Sequence, residues 1–104
     1  MILWHRTRTA AARQILRAGF RDERGRYLTD REFEGVWLSD CPLDENEGAY
    51  GDALLRIVLN CTEDEIRDWE WIEEGKGYRE WLIPAAFIND RAQITLVELR
   101  ASAE

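Results

Sequence analysis

The chain has 104 residues, which is enough for one domain and excludes folds that bind a cofactor between two domains. Apolar residues make up 45% of the chain and charged residues 34%, a balance typical of a globular protein. Twenty-one acidic and 14 basic residues give a net charge of −7. This charge disfavours nucleic acid as a partner, because the surface repels phosphate backbones. We therefore treat residues 1–104 as a single domain.

The cysteines and the hydropathy indicate the cellular compartment. Cys41 and Cys61 lack Cys-x-x-Cys spacing, and the chain has one His, so a conventional zinc site cannot be assembled. Free thiols in a reducing cytosol are the simpler interpretation. No apolar stretch approaches the ~18 residues of a membrane span, and the first residues lack the pattern of a signal peptide. We expect a cytoplasmic location, no membrane partner and no metal.

The first part of the chain predicts a strand followed by a helix. The apolar run from Ile2 to His5 is typical of a buried strand. The helix is expected to begin at Thr9, whose hydroxyl can cap it, and to continue through Ala18 with apolar residues three and four apart. Gly19 then suits the left-handed conformation just past a helix end.

Two long polar segments flank the second predicted strand. Residues 21–34 and 40–52 are rich in charge and glycine and predict loops, the second of which can hold a short helical turn near residues 43–48. Between them, the apolar and β-branched run from Gly35 to Ser39 predicts a strand.

The second half predicts three further strands and a second helix. Residues 53–59, 78–83 and 93–100 are expected to be strands. Thr62 and Glu65 form a capping box that opens a helix expected to end by Gly75. The whole pattern predicts a mixed α+β domain with one twisted sheet and two helices.

Few residues could carry chemistry. Glu80 lies in an apolar segment, where a buried charge is costly unless it is paired or used. Alternation puts Glu80 on a face with Tyr78 and Leu82, which leaves an outward-facing structural position open. His5, at a strand end, is commonly a hydrogen-bonded structural residue, and Trp37 in an apolar strand is commonly a core residue.

Three segments carry a family resemblance, in order along the chain. Leu3–Thr7 reads Leu-Trp-His-Arg-Thr, Gly35–Asp40 reads Gly-Val-Trp-Leu-Ser-Asp, and Tyr78–Ile83 reads Tyr-Arg-Glu-Trp-Leu-Ile. They resemble the ADP-ribosyltransferase superfamily in its diphtheria-toxin and poly(ADP-ribose) polymerase branch. That family has His-Gly-Ser/Thr on its first strand, Gly-Ile/Val-Tyr-Phe-Ala-Asp in the middle and Tyr-x-Glu-Tyr/Trp at the catalytic Glu.

The resemblance implies a split, mainly antiparallel sheet with two helices and NAD as substrate, its nicotinamide–ribose bond breaking through an oxocarbenium-like state. Glu80 would be the catalytic residue, binding the nicotinamide-side ribose and stabilising the positive charge. The implied NAD-binding residues are His5 on the adenosine-side ribose, the Arg6 backbone and the Thr7 hydroxyl at the nicotinamide amide, Trp37 stacked on the nicotinamide ring, Ser39, and Tyr50 or Tyr27 as a second aromatic.

Two positions depart from the family pattern, and a third bears on the acceptor. Arg6 stands where the family has Gly, and its guanidinium could instead hold the pyrophosphate of NAD. Trp37 replaces a tyrosine. Tyr78 stands two residues before Glu80, where the arginine-modifying branch has Gln or Glu, which argues against arginine as the acceptor.

The sequence thus predicts NAD-dependent ADP-ribosyl transfer to an unknown protein or small-molecule acceptor, or NAD glycohydrolysis, in a toxin-like bacterial protein. Three alternatives stay open. The run Val36–Ser39 also resembles the Val-His-Leu-Ser strand of RNA 2′-phosphotransferases, without its His and with a charge that disfavours RNA. A catalytically inactive NAD-, ADP-ribose- or protein-binding module of the same fold is the second. A structural interaction protein, suggested by five Trp residues, is the third.

Overall fold

A computed structural model describes residues 1–26 and 32–100 of the chain. In these residues seven strands are accompanied by two α-helices and two short 3₁₀ helices. In chain order the elements are β1 (Ile2–Thr7), α1 (Thr9–Ala18), β2 (Glu23–Arg26), β3 (Glu32–Ser39), a 3₁₀ helix (Glu45–Glu47), β4 (Ala53–Leu59), a 3₁₀ helix (Glu63–Trp69), β5 (Glu70–Trp71), β6 (Glu80–Ile83), α2 (Ala85–Asn89) and β7 (Ala92–Leu99).

All described strand pairs are antiparallel, and the strands form one sheet in the order β5-β6-β3-β1-β4-β7, with β2 paired to β3. The α+β class and the mainly antiparallel sheet predicted from the sequence are therefore confirmed. The strands predicted at residues 53–59 and 93–100 are present as β4 and β7, because their apolar content exceeds that of the segments around them.

The core is built on β4, which is paired on both edges, to β1 and to β7. Ile57 and Leu59 on this strand are fully buried, as the apolar run predicts. Burial of each such side chain contributes roughly 1.5–3 kcal/mol to folding. One cluster joins the helices to this face of the sheet; its members include Leu3, Ala12, Leu38, Leu55, Ile66, Trp81, Ile83 and Ile88.

Helix α1 confirms its predicted extent but not its predicted cap. The cap position is Arg8, which makes no side-chain capping bond, and Thr9 is the first helical residue. The carboxylate of Asp52 caps the helix instead, accepting hydrogen bonds from the Thr9 backbone N–H at 3.0 Å and from its hydroxyl at 2.7 Å. The cap thus comes from a residue far away in sequence. Gly19 follows the helix with φ 86° and ψ 174°, so its φ is positive but it does not adopt the predicted left-handed helical conformation.

The second predicted helix is wrong in type and length. Thr62 and Glu65 do form the capping box, but the helix that follows is a 3₁₀ helix that ends at Trp69. The chain then enters β5, whose Glu70 pairs with Trp81 of β6. The backbone N–H and C=O groups of β5 thus form hydrogen bonds with a neighbouring strand rather than within a longer helix. The 3₁₀ helix therefore ends at Trp69, well before Gly75.

Other boundaries also differ from the sequence predictions. The segment predicted as a loop at 21–34 contains β2 and the start of β3, which pair as a hairpin with Glu23 opposite Gly35. Strand β6 begins at Glu80 rather than Tyr78. Helix α2 was not predicted; the Asp22 carboxylate accepts a hydrogen bond from its first N–H, on Ala85, at 2.7 Å. The short turn predicted near residues 43–48 is confirmed by the first 3₁₀ helix.

Candidate active site

The sheet is open between its two central strands. Strand β1 pairs with β4 along its whole length, from Ile2 to Thr7, but pairs with β3 at one position, where Trp4 faces Ser39. Beyond that pair the imidazole of His5 bridges the two strands, with its Nδ1 2.8 Å from the backbone carbonyl oxygen of Trp37. A side chain thus replaces the backbone pairing, and the two strands leave a gap between them.

The protonation of His5 follows from its surroundings. A carbonyl oxygen accepts hydrogen bonds, so Nδ1 carries the proton and donates to Trp37. The side chain packs edge-on against Phe20, with ring centroids 5.2 Å apart, and the residue is only 7% exposed. Burial lowers the pKa of His5, so the ring is neutral at pH 7. Its Nε2 is therefore a hydrogen-bond acceptor, and no described group donates to it.

A cavity of about 530 Å³ occupies this opening. It brings together all the described residues that the sequence predicted for the site; its lining includes His5, Arg6, Thr7, Trp37, Ser39, Tyr50 and Glu80. Tyr27, the alternative to Tyr50, lies outside the described residues. The lining also includes residues outside the three motifs, among them Arg8, Glu23 and Glu47. Tyr78, the first residue of the third motif, lines the cavity as well, although no binding role was predicted for it.

A second cavity of about 140 Å³ adjoins the first on the α1 side. Gln14, Phe20 and Arg21 line it. The two cavities share four lining residues, which are His5, Thr7, Ala11 and Glu23. His5 and Thr7 thus lie where the two cavities meet, and the cleft extends from Glu80 toward the end of α1.

Glu80 lies at the β6 edge of the larger cavity. It faces Ser39 of β3 on one side and Trp71 of β5 on the other. Because directly paired residues point to the same face of a sheet, Glu80 and Ser39 are cross-strand neighbours. The Glu80 side chain is 19% exposed, and its Oε1 accepts a hydrogen bond from Lys76 Nζ at 2.8 Å.

Trp37 is half-buried at the cavity and belongs to a row of aromatic rings. Its centroid lies 5.3 Å from that of Trp71, which in turn lies 4.7 Å from Phe33, both in edge-to-face geometry. Edge-to-face contacts of this kind hold aromatic side chains in place beyond the effect of burial alone. The row therefore fixes the orientation of the Trp37 ring at the cavity.

Arg6 has a structural role that the sequence did not predict. Its side chain is 3% exposed, and its guanidinium donates to the carbonyl oxygens of Leu43 and Gly51 and to the Glu98 carboxylate at 3.2 Å. These bonds attach the segment 40–52 to β1 and β7. Since its donors are used within the protein, the geometry does not support Arg6 as the group that holds a pyrophosphate.

Segment 40–52 forms one wall of the cavity. Gly51 has φ 127°, and a Cβ atom there would lie 2.2 Å from the Thr7 backbone, so only glycine allows this approach. Tyr50, next to it, is 72% exposed. The Ser39 hydroxyl donates to the Cys41 carbonyl oxygen at 2.7 Å, at the start of the segment. Ser39 therefore contributes an acceptor lone pair to the cavity rather than a free proton.

Three carboxylates and two guanidinium groups line the larger cavity. The carboxylates are Glu23, Glu47 and Glu80, and the guanidinium of Arg6 is bonded within the protein. Arg8 in the larger cavity and Arg21 in the second have no carboxylate partner among the described residues. Phosphate groups in the cleft would therefore meet Arg8 or Arg21.

Comparison with protein-family models, curated proteins and solved structures found no match. Within residues 1–26 and 32–100, no three His, Cys, Asp or Glu side chains are grouped so that they could hold a metal ion. Both cysteines are free thiols, and burial raises the pKa of each above its ordinary value. In the described parts of the chain, no helix is long and apolar enough to cross a bilayer.

Proposed function

We propose that this protein is an ADP-ribosyltransferase-like enzyme that cleaves NAD, transferring ADP-ribose to a protein or small-molecule acceptor or to water. One observation supports the proposal above all: three residues line the same cavity. They are a neutral His5, Trp37 with its ring oriented by Trp71, and the Glu80 carboxylate. These three residues come from three strands and from three separate sequence motifs. A cavity of about 530 Å³ is in the range of small-molecule sites, roughly 300–1,000 Å³.

Cleavage of the nicotinamide–ribose bond requires a site that binds NAD and a negative charge close to the ribose. In NAD the nicotinamide nitrogen carries a positive charge, so when its bond to ribose C1″ breaks it takes the electron pair and leaves as neutral nicotinamide. The ribose becomes an oxocarbenium-like cation. A fixed carboxylate such as Glu80 stabilises that cation because the opposite charge is already in place before the bond breaks. The acceptor then bonds to C1″ and releases a proton.

The other residues fit binding roles. His5 Nε2, as an acceptor, can receive a hydrogen bond from a ribose hydroxyl. Trp37 offers an aromatic face for the nicotinamide ring, which is positively charged before cleavage and attracts an indole. The joined second cavity gives the remainder of the dinucleotide room beside His5 and Thr7.

A binding module of the same fold is the second candidate. The ion pair with Lys76 favours it, because Glu80 already has a cationic partner without any substrate. Such a module would bind NAD or ADP-ribose and release no nicotinamide.

Nicotinamide release separates the two candidates. Purified protein is incubated with NAD, and nicotinamide is quantified by chromatography. We expect release by the wild type and a loss of about 100-fold or more in Glu80→Gln, which keeps the shape but removes the charge. Glu74→Gln, an exposed carboxylate near Glu80 in sequence, is the matched control and should be fully active.

The thermal unfolding midpoint is measured in parallel, because a ligand that binds the native state raises it. A rise with NAD in both the wild type and Glu80→Gln, with no nicotinamide released by either, assigns the binding module. If NAD is not cleaved and does not raise the thermal unfolding midpoint, the proposal is wrong.

A further inference from the structure

The only lysine of the chain is held against the candidate catalytic carboxylate. Lys76 is the single lysine among 14 basic residues. Its side chain is 9% exposed, its Nζ lies 2.8 Å from Glu80 Oε1, and the same Nζ lies 5.0 Å from the centroid of the Tyr78 ring. An ammonium group is strongly hydrated and usually remains in water. Its removal from water here therefore requires these two partners.

The local backbone explains how Lys76 turns inward. Gly75 and Gly77 flank it, Gly75 with φ 78°, and a Cβ atom added to either glycine would meet nothing within 4 Å. The turn itself thus faces open space while the lysine side chain packs against Glu80 and Tyr78. This leaves Glu80 and the Tyr78 ring as the contacts that hold it.

This ion pair differs from the others near it. The Arg79 guanidinium joins Glu70 and Glu63 and so connects two parts of the fold. Lys76 and Glu80 are four residues apart on one continuous segment. Their ion pair therefore contributes little to connecting the fold. Its main effect is to fix the orientation of one carboxylate.

We propose that Lys76 is a positioning residue that holds Glu80 in a single orientation for reaction with substrate. The inference rests on the proposed function. The Lys76 ammonium lies 2.8 Å from Glu80 Oε1, and both side chains are largely buried. Lys76 binds Oε1, and no described group binds Oε2. The second oxygen is therefore left to receive a ribose hydroxyl.

The test is a set of substitutions read by the kinetics of nicotinamide release. Lys76→Met keeps the stem but removes the charge. We expect its kcat to fall about tenfold while its KM for NAD stays within about twofold, because the lost interaction acts in the transition state. Lys76→Arg restores a cation and should recover most of the activity. Lys76→Met in the Glu80→Gln background should cause no further loss, because both changes act through one carboxylate.

Several results would overturn the inference. Lys76→Met with wild-type or higher kcat would show that the pair restrains Glu80 rather than supports it. Equal losses in Lys76→Met and Lys76→Arg, or additive losses with Glu80→Gln, would show a purely structural role. Thermal unfolding midpoints of all variants identify any loss of activity that is due to unfolding. If Lys76→Met does not fold, Lys76→Gln is used in its place. Absence of nicotinamide release from the wild type is a different result, since it removes the proposed function itself.

Discussion

A neutral histidine is the most informative single residue of the site. His5 was recognised from its place at the end of the first predicted strand, but its tautomer depends on the Trp37 carbonyl oxygen, which is 32 residues away in sequence. The hydrogen bond consumes Nδ1 and leaves Nε2 as an acceptor. A nitrogen that accepts a hydrogen bond and does not donate one suits a hydroxyl-bearing ligand such as ribose. Because acid protonates this nitrogen, the residue is sensitive to low pH.

Protonation of His5 should destabilise the fold. Burial lowers its pKa in the native state, so the unfolded chain binds more protons between that value and about 6.5. Its contribution to stability is therefore present above about pH 6.5 and is lost as the pH falls below it. The change can reach about 1.4 kcal/mol per pH unit. Unfolding in urea at pH 7.5 and pH 5.5 measures it.

The control for this prediction is His5→Asn, whose side-chain N–H can still donate to the Trp37 carbonyl oxygen but does not titrate. The variant should lose less stability than the wild type between the two pH values. An identical loss in both proteins would assign the pH dependence to other groups. Asp52, Glu70 and Glu98 are the described carboxyls with lowered pKa values, and their contribution is lost at more acidic pH.

At the scale of elements, the wall of the cleft depends on one buried guanidinium. Arg6 on β1 holds segment 40–52 at Leu43 and at Gly51, near its two ends. The sequence placed Arg6 at the site because of its position in a motif. Its partners lie 37 and 45 residues away, and no local pattern reveals them.

Arg6→Met should loosen this wall. It approximately keeps the volume but leaves the two carbonyl oxygens without a donor, at a cost on the order of 1–3 kcal/mol for a buried group. Urea unfolding gives the change in stability. Hydrogen exchange should show faster exchange at Glu47, Gly48 and Ala49, which are hydrogen-bonded within the segment. Arg13→Met, an exposed arginine on α1, is the control. Unchanged exchange in Arg6→Met would contradict the claim that Arg6 holds segment 40–52 in place.

The elements that the sequence predicted well are those with strong local signals. Strand β4 is apolar except for Arg56, α1 has a clear apolar face, and the capping box at Thr62 is present. Strand β5 and helix α2 were missed because each is short and depends on a distant partner, which is β6 for the strand and Asp22 for the helix. The position of an element end was likewise decided by tertiary pairing rather than by propensity.

At the scale of the whole molecule, one opening in the sheet accounts for the site. Three motifs, whose residues His5, Trp37 and Glu80 are 32 and 43 positions apart in the chain, meet there because β1 and β3 pair at Trp4 and Ser39 alone and then separate. The motifs predicted which residues would meet. The opening itself, the second cavity and the ion pair of Glu80 with Lys76 are properties of the folded chain. The described strands of one sheet thus enclose a cleft between them.

The structure shows which charged side chains lie at the cleft. Glu23, Glu47 and Glu80 line the larger cavity, and Arg8 and Arg21 are the cations of the described lining that have no carboxylate partner. The three carboxylates disfavour RNA, whose phosphates repeat along the chain, more than they disfavour a dinucleotide with one pyrophosphate. The whole-molecule charge therefore favours NAD over an RNA substrate.

The most direct test of the account is whether NAD enters this cleft. The five Trp residues provide the probe, because each indole N–H gives a separate NMR resonance and each can be assigned by substitution with Phe. Trp4 and Trp37 line the cavity and Trp71 contacts Trp37, whereas Trp69 and Trp81 pack in or against the core. Titration with NAD should shift the first three resonances in a saturable way and leave the last two in place. No shift at Trp37, or shifts confined to Trp69 and Trp81, would contradict NAD binding at this site.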